Sequence, residues 1–306
     1  MEIITGTTDF YLNEETAVAI GKFDGVHVGH RRLLQEILSQ KLKGKKACVF
    51  SFDPSPSVFF NNIQEKELNT KDEKRALFEQ MGIDILIEFP MNEITAAMQP
   101  QIFVQEILCD RMNTRFLAAG RDLSFGAKGM GNVSLLQSMA AECNMEVCII
   151  DKITLDGRVV SSTLVREAVQ AGEMSYAKKL LGMPYMVSGI VQHGNHIGRT
   201  LGMPTVNLVL PENKLLPPCG VYYSGVLMDG IYYKGISNIG FKPTVLEKKK
   251  RLGVETYLYD YNGDAYGEEI IVSLYDFKRP EQRFEDMEAL KKQLQEDIKT
   301  GEVYSL

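Results

Sequence analysis

The sequence predicts an α/β amino-terminal half, a parallel sheet with helices on both faces, followed by an antiparallel β-barrel closed by one terminal helix. Three observations predict it. In the first half, short apolar runs alternate with stretches of helical periodicity. Beyond Gly182-Met183-Pro184, strand-like runs follow one another with only Gly, Pro, Asn and Asp turns between them. Near the carboxyl end, Phe284, Met287, Leu290, Leu294 and Ile298 recur at the spacing of one helix face, which would pack on the barrel. A chain of 306 residues is long enough for two cores, and the change of texture divides it into 1–183 and 184–306.

Strands are expected at 17–20, 47–52, 83–88, 116–119 and 146–150. Helices are expected at 31–40, 71–80, 101–109, 133–143, 162–171 and 176–181. Within 31–40, Leu33, Leu34, Ile37 and Leu38 mark a helix face. The second half offers strands at 186–192, 221–228, 231–239, 254–259 and 269–275. Asp229-Gly230 and Asn262-Gly263-Asp264 are hairpin signals, and Lys248-Lys249-Lys250-Arg251 reads as a solvated hairpin tip.

Lys and Arg total 34 against 40 Asp and Glu, a net charge of −6. That balance argues against a nucleic-acid partner, which needs a basic surface. The five cysteines are scattered and form no CxxC pair, which argues against a disulfide framework or a zinc site; Cys143 and Cys148 read as half-buried thiols. No basic region followed by an apolar run opens the chain, and no apolar run reaches membrane-spanning length. A cytoplasmic location is expected, with no membrane partner and at most weak self-association into a homo-oligomer.

The strongest local signal runs from Gly21 through Lys22-Phe23-Asp24-Gly25-Val26-His27-Val28-Gly29 to His30, between an expected strand and an expected helix. A helix start offers backbone N–H groups and a positive dipole end to phosphate. Gly21, Gly25 and Gly29 permit close approach, and His27 and His30 bring two imidazoles to the same place. Two histidines without a third ligand make a poor zinc set. Further on, Ser161-Ser162-Thr163-Leu164-Val165-Arg166 places hydroxyls and a guanidinium at a helix start, an anion clamp in form. Alone it also reads as an ordinary cap.

In the second half, the segment from Gly189 to Asn207 is dense in glycine, with Gly194, Gly198 and Gly202 allowing tight turns. Thr205 and Asn207 lie two apart, so in an extended segment they share a face. Their oxygens suit Mg²⁺ bound with phosphates; the residues alone leave open a wide hairpin with an incidental polar pair. His193 and His196 read as solvated loop residues. Glu255, in a strand-like run, reads by itself as a solvated edge residue.

These segments carry a resemblance. The histidine loop resembles the HxGH signature of adenylyl-transferring nucleotidyltransferases, and the serine segment their SSTxxR motif. Ser51-Phe52-Asp53-Pro54-Ser55-Pro56 and Gly120-Arg121-Asp122-Leu123-Ser124-Phe125-Gly126 resemble the TFxPxP and GxDFRFG stretches of the bacterial FAD synthetase family. Ser55 stands where that family often has His, Ser124 where it usually has Arg, and Leu123 where Phe is frequent. The Gly189–Asn207 segment holds every fixed position of the flavokinase pattern GxVxxGxxxGRxLGxPTxN. Asn238-Ile239-Gly240, Pro218-Cys219-Gly220, Glu255 with its flanks, and Arg279-Pro280-Glu281 resemble further flavokinase motifs.

The order of the two sets resembles that of the bifunctional riboflavin kinase/FMN adenylyltransferases. The resemblance implies a Rossmann-like nucleotidyltransferase domain and a flavokinase barrel, with ATP, riboflavin and FMN as substrates and Mg²⁺ as cofactor. It implies catalytic roles for Glu255, His27, His30 and Arg166. ATP or phosphate contacts would come from Gly21, Phe23, Asp24, Gly25, Gly29, Ser162, Thr163, Gly194, Gly198, Arg199, Gly202 and Asn238. Flavin contacts would come from Phe52, Pro54, Asp122, Phe125 and Arg279, and metal contacts from Thr205 and Asn207. Three other readings are a live kinase with a degraded adenylyltransferase, adenylyl transfer to a different phosphate, and a flavin sensor without turnover.

Overall fold

The computed structural model describes residues 1–61, 66–194, 197–243 and 250–306. The backbone divides into two compact units, Met1–Glu65 with Lys71–Ser161, and Lys66–Thr70 with Ser162–Leu306.

The first unit is built on β1 (Glu2–Thr5), β2 (Thr16–Ile20), β3 (Lys46–Asp53), β4 (Ile85–Pro90), β5 (Thr114–Gly120) and β6 (Glu146–Ile150). They form one sheet in the order β1-β4-β3-β2-β5-β6, every pair parallel. All of β2 is buried, because a central parallel strand covered by helices needs a continuous apolar run rather than an alternating one. Helices α1 (Val28–Ser39), α2 (Lys71–Gln80) and α3 (Val133–Met139) follow β2, β3 and β5. Leu33, Leu34 and Ile37 are the buried face of α1, as the spacing predicts. A small hairpin, β7 (Thr154–Leu155) with β8 (Arg158–Val159), follows the sheet.

The structure differs from the sequence reading at identifiable places. β1 was not expected; it is an edge strand with three of its four residues exposed, so it carries little apolar signal. β4 starts at Ile85 rather than 83, since Gly82 at φ +85 still belongs to the preceding turn. The helix expected at 101–109 is a π-helix over Phe103–Arg111, whose wider turn escapes a 3.6-residue pattern. The helix expected to reach 143 ends at Met139. Cys143, read as a thiol, is instead joined to Cys109 in a disulfide across a sequence separation of 34. The end of the π-helix and the turn after α3 bring the two together, which no local spacing reveals.

The second unit is a closed barrel of β9 (Tyr185–Gln192), β10 (Thr205–Val209), β11 (Gly220–Met228), β12 (Ile231–Pro243), β13 (Lys250–Leu258) and β14 (Glu269–Pro280). Its order is β10-β13-β12-β11-β14-β9, with antiparallel pairing throughout. Asp229 (φ +49) and Gly230 (φ +75) make the two-residue turn between β11 and β12, the left-handed pair that such a hairpin requires. Asn262-Gly263-Asp264 is not a hairpin: β13 and β14 are not neighbours, so this segment belongs to a crossover. Lys248 and Lys249 of the expected basic tip lie outside the described residues, as do Asn195 and His196.

Helices α4 (Ser162–Ala171) and α5 (Met174–Leu181) belong to this unit, with α5 packed on β14 and β9. By compactness the chain divides between Ser161 and Ser162. The terminal helix α6 (Met287–Val303) starts at Asp286, whose side chain accepts from the Ala289 N–H at 2.8 Å. No helix among the described residues is long and apolar enough to cross a membrane.

Candidate active sites

In the first unit, β3 and β4 lie on one side of β2 while β5 and β6 lie on the other. The strand order thus reverses at β2 and β5, and open α/β sheets bind ligands at the carboxyl ends of strands beside such a point. The loop after β2 is the histidine loop, and that after β5 carries Arg121 to Gly131. His27 caps α1: its Nδ1 accepts from the His30 N–H at 3.3 Å. The two imidazoles stack at 3.7 Å with 12° between their planes. Burial pushes His27 down to about 4. Burial, and then the neighbouring His27, hold His30 well below the ordinary histidine value. Both rings are therefore neutral at physiological pH, and His30 Nδ1 is buried with no hydrogen-bond partner among the described residues. With its Nδ1 accepting, His27 carries its proton on Nε2, a donor suited to an anion.

The loop keeps this geometry through unusual backbone. Phe23 (φ +50) and Val26 (φ +39) sit in left-handed conformations beside Gly25 (φ +85). A β-branched residue there is a real outlier, of the kind that collects at functional sites. Gly29 has no room for a side chain without pressing the His27 ring, 3.2 Å from where a Cβ would stand. Phe23 is fully buried, with its ring 5.6 Å from Phe78 and 5.1 Å from His30. Its ring supports the histidines from beneath, which leaves its backbone to make any nucleotide contact.

The expected flavin contacts of this unit separate into two groups. Phe52 is half-buried at the end of β3, packed edge-on to Phe50, and the Asp53-Pro54 step is exposed beyond it. Asp122 is paired with Lys152 at 2.9 Å, which holds its carboxyl below the usual range. Phe125, however, is 4% exposed and belongs to the hydrophobic core with Phe103. It anchors the loop, and Gly131 is forced to be glycine because a Cβ would meet the Phe125 ring at 2.6 Å.

Ser162, Thr163 and Arg166 lie on α4 in the second unit. The Arg166 guanidinium donates to the carbonyl of Lys66 in the same unit.

The barrel holds two cavities. The first, of about 420 Å³, is lined by Thr205, Asn207, Tyr261, Asp264 and Tyr266 among others. The second, of about 280 Å³, is lined by Thr205, Glu255, Asn238, Arg279, Glu281 and the α6 residues Leu290, Leu294 and Ile298. Thr205 lines both. Its hydroxyl donates to Glu255 Oε1 at 2.7 Å, and Asn207 pairs directly with Glu255 in the β10–β13 register. Gly194 and Gly198 pass against this strand: Cβ atoms there would meet the Asn207 amide at 2.6 Å and the Met203 carbonyl at 2.4 Å. Gly202 takes φ +78.

Asn238, expected beside nucleotide, lines the second cavity and pairs across β12–β13 with Glu255. Arg279 also lines that cavity, but its guanidinium is tied to Asp297 on α6. His193, expected to be merely solvated, packs its ring 3.8 Å from Tyr266. The sequence reading missed Tyr261, Tyr266, Glu281 and Asp297; only Glu281, within its RPExxF motif, carried a signal.

Two adjoining cavities that share a hydroxyl, a carboxylate beside that hydroxyl, and a histidine-capped helix at a sheet's switch point define an enzyme of nucleotide-dependent group transfer. The comparisons agree. Residues 10–164 match the FAD synthetase family model and residues 181–304 the riboflavin kinase model. Bifunctional riboflavin kinase/FMN adenylyltransferases of Listeria monocytogenes and Buchnera aphidicola are each 36% identical. The alignments cover 95% of this chain and 93% of the Listeria protein, and 99% of both chains for one from Buchnera. The crystal structure of a macrolide-efflux protein from Streptococcus pneumoniae superposes with a TM-score of 0.86 and 27% identity over 99% of each chain. The chain belongs to the bifunctional riboflavin kinase/FMN adenylyltransferase family.

Proposed function

We propose that this chain makes FMN from riboflavin in its barrel and FAD from FMN at the histidine loop. The observation that carries the kinase assignment is Thr205, which lines both barrel cavities and hydrogen-bonds Glu255. ATP occupies the first cavity and riboflavin the second, under α6. Glu255 takes the proton of the terminal ribityl hydroxyl as its oxygen attacks the γ-phosphorus, and ADP leaves. Thr205 donates its proton to Glu255, so its lone pairs remain for a hard cation. Mg²⁺ fits that oxygen and the Asn207 amide oxygen, and when bound it would neutralise phosphate charge there.

For the second reaction, an FMN phosphate oxygen attacks the α-phosphorus of ATP, the bond to the bridging oxygen breaks, and pyrophosphate leaves. Neutral His27 and His30 supply hydrogen bonds to the phosphates without a covalent intermediate. Phe52, Pro54 and Asp122 face the flavin. These soluble substrates suit a cytoplasmic enzyme.

The test is chromatography of the purified protein incubated with riboflavin, ATP and Mg²⁺. FMN followed by FAD is expected. FMN alone would remove the adenylyl assignment, to which Ser55 and Ser124 would then be the first residues to question; neither product would remove both.

A further inference from the structure

β4 runs Ile85-Leu86-Ile87-Glu88-Phe89-Pro90, and the charge within it belongs to Glu88. Glu88 is 6% exposed, in a strand paired with β1 on one side and β3 on the other. A carboxylate there is costly, because a covered parallel strand ordinarily reads as a continuous apolar run. Three donors compensate it. Arg75 donates through bonds of 2.9 and 2.6 Å, the Lys71 ammonium lies at 3.1 Å, and Thr5, paired with Glu88 in the β1–β4 register, adds its hydroxyl. Burial alone would raise the Glu88 carboxyl, but Arg75, Lys71 and Thr5 together hold it below the usual carboxylate range. An apolar side chain could close the same space, and exchanging a buried ion cluster for one is often neutral or stabilising. Stability alone therefore does not require the cluster.

The cluster reaches the end of β3. The Lys71 ammonium, at the start of α2, bridges Glu88 and Asp53. Ser51 stands opposite Glu88 and Asp53 opposite Pro90, so the alternation along a strand puts Asp53 and Glu88 on one face of the sheet. Phe52 points to the other face, with its ring edge-on to Phe50 at 5.3 Å and to Phe89 at 6.4 Å. The Asp53 carbonyl accepts from the Met91 N–H at 2.9 Å. Side chain and carbonyl of Asp53 are thus both held, and Asp53 separates Phe52 from Pro54, the two residues placed against FMN. The Lys71 and Asp53 side chains are 40% and 45% exposed. A pair that open to water contributes little to stability, so its consequence is where it holds the backbone.

We propose that Glu88 and Lys71 are positioning residues for adenylyl transfer: the buried carboxylate holds the Lys71 ammonium against Asp53, and this fixes the Phe52–Pro54 edge of the FMN subsite. Every group involved lies within the first unit. The role presupposes the adenylyl reading given above.

The experiment uses the full chain and its Lys71→Met, Lys71→Arg, Glu88→Gln and Asp53→Ala variants, with the Lys71→Met, Asp53→Ala double variant. FAD formation is followed from supplied FMN and ATP. In Lys71→Met the KM for FMN should rise roughly fivefold to tenfold, with kcat and the KM for ATP within about twofold of the parent and little change in melting temperature. Lys71→Arg, which keeps a cation between the two carboxylates, should restore the parent KM. Glu88→Gln should raise the same KM. Asp53→Ala should match Lys71→Met, and the double variant should be no worse than the worse single one, since both act through one contact. An unchanged KM for FMN in Asp53→Ala overturns the proposal even if Lys71→Met fails to fold. Additive effects in the double variant, or a loss confined to kcat, overturn it too. If the parent forms no FAD, the adenylyl reading falls and the proposal with it; FAD from the parent with an unchanged KM in Lys71→Met overturns the proposal alone.

Discussion

The Thr205 hydroxyl and the Glu255 carboxylate meet at 2.7 Å across the β10–β13 pair, and Thr205 lines both barrel cavities described. The bond fixes one carboxylate oxygen of Glu255 beside Thr205. Glu255→Gln keeps the shape and removes the carboxylate proposed as base, so kcat for FMN formation should fall by roughly 10²–10⁴. FAD formation from supplied FMN should be unchanged. Thr205→Val should instead raise the KM for Mg·ATP. Steady-state assays with each substrate supplied separately check both.

The histidine pair predicts a pH dependence with a definite sign. An unfolded imidazole titrates near 6.5, whereas the native His27 has been pushed down to about 4. Between those values the unfolded chain binds a proton that the native one does not, so unfolding becomes easier as pH falls through the window. The full effect is on the order of 3 kcal/mol for His27. Urea titrations at several pH values should show stability rising from pH 4 to 6.5, with a shallower slope in His27→Gln. The double variant His27→Ala with His30→Ala should lose FAD formation and keep FMN formation; equal loss of both would refute separate sites.

How much of this was legible beforehand depended on whether the determining contacts were local. The strand–loop–helix around His27 was, because β2 is a continuous apolar run and α1 shows a clean face. The Thr205–Asn207 pair was, because two-residue spacing on a strand fixes a shared side. That the Phe23 and Phe125 side chains are buried was not legible: an aromatic residue in a motif reads the same whether its ring is open to a ligand or supports the loop from below. Tyr261 and Tyr266 escaped because their segment imitates a hairpin, and only the barrel's strand order shows that it is a crossover. Asp297 sits in a polar stretch of helix, where nothing local distinguishes a buried carboxylate from a solvated one.

The Cys109–Cys143 bond encloses β5 and the whole Arg121–Gly131 loop within its span of 34 residues. Closing a loop of that length limits the unfolded chain by about 4 kcal/mol in the chain-entropy account. The double variant Cys109→Ala with Cys143→Ala should therefore melt several degrees lower. Thiol titration of the denatured, unreduced protein should find three free cysteines, Cys48, Cys148 and Cys219. Five would mean that the pair is reduced in solution, and the variant should then lose less stability.

Asp297 makes the last prediction, because it holds the roof of the second cavity. Asp297 is 1% exposed, and its carboxylate accepts from Nε and Nη2 of Arg279, with Lys278 at 3.2 Å. Nearby, the Ile298 carbonyl accepts from Tyr259, the Glu302 carbonyl accepts from Lys234 at 2.6 Å, and Gly301 lies so close to Ile236 and Tyr259 that a Cβ would meet each at 2.4 Å. These attachments gather in the carboxyl half of α6, while Leu290 and Leu294 in its amino half face the cavity only partly buried. On the proposed placement of riboflavin in this cavity, the flavin ring would cover the half-exposed leucines. Asp297→Asn removes the charge that holds Arg279 and Lys278 and weakens the tie between α6 and β14. The melting temperature should fall, and the KM for riboflavin should rise more than the KM for ATP, because α6 residues line the cavity proposed for riboflavin and, among the described residues, not the one proposed for ATP. An equal rise in both would mean that Asp297 supports the barrel as a whole and not the flavin cavity in particular.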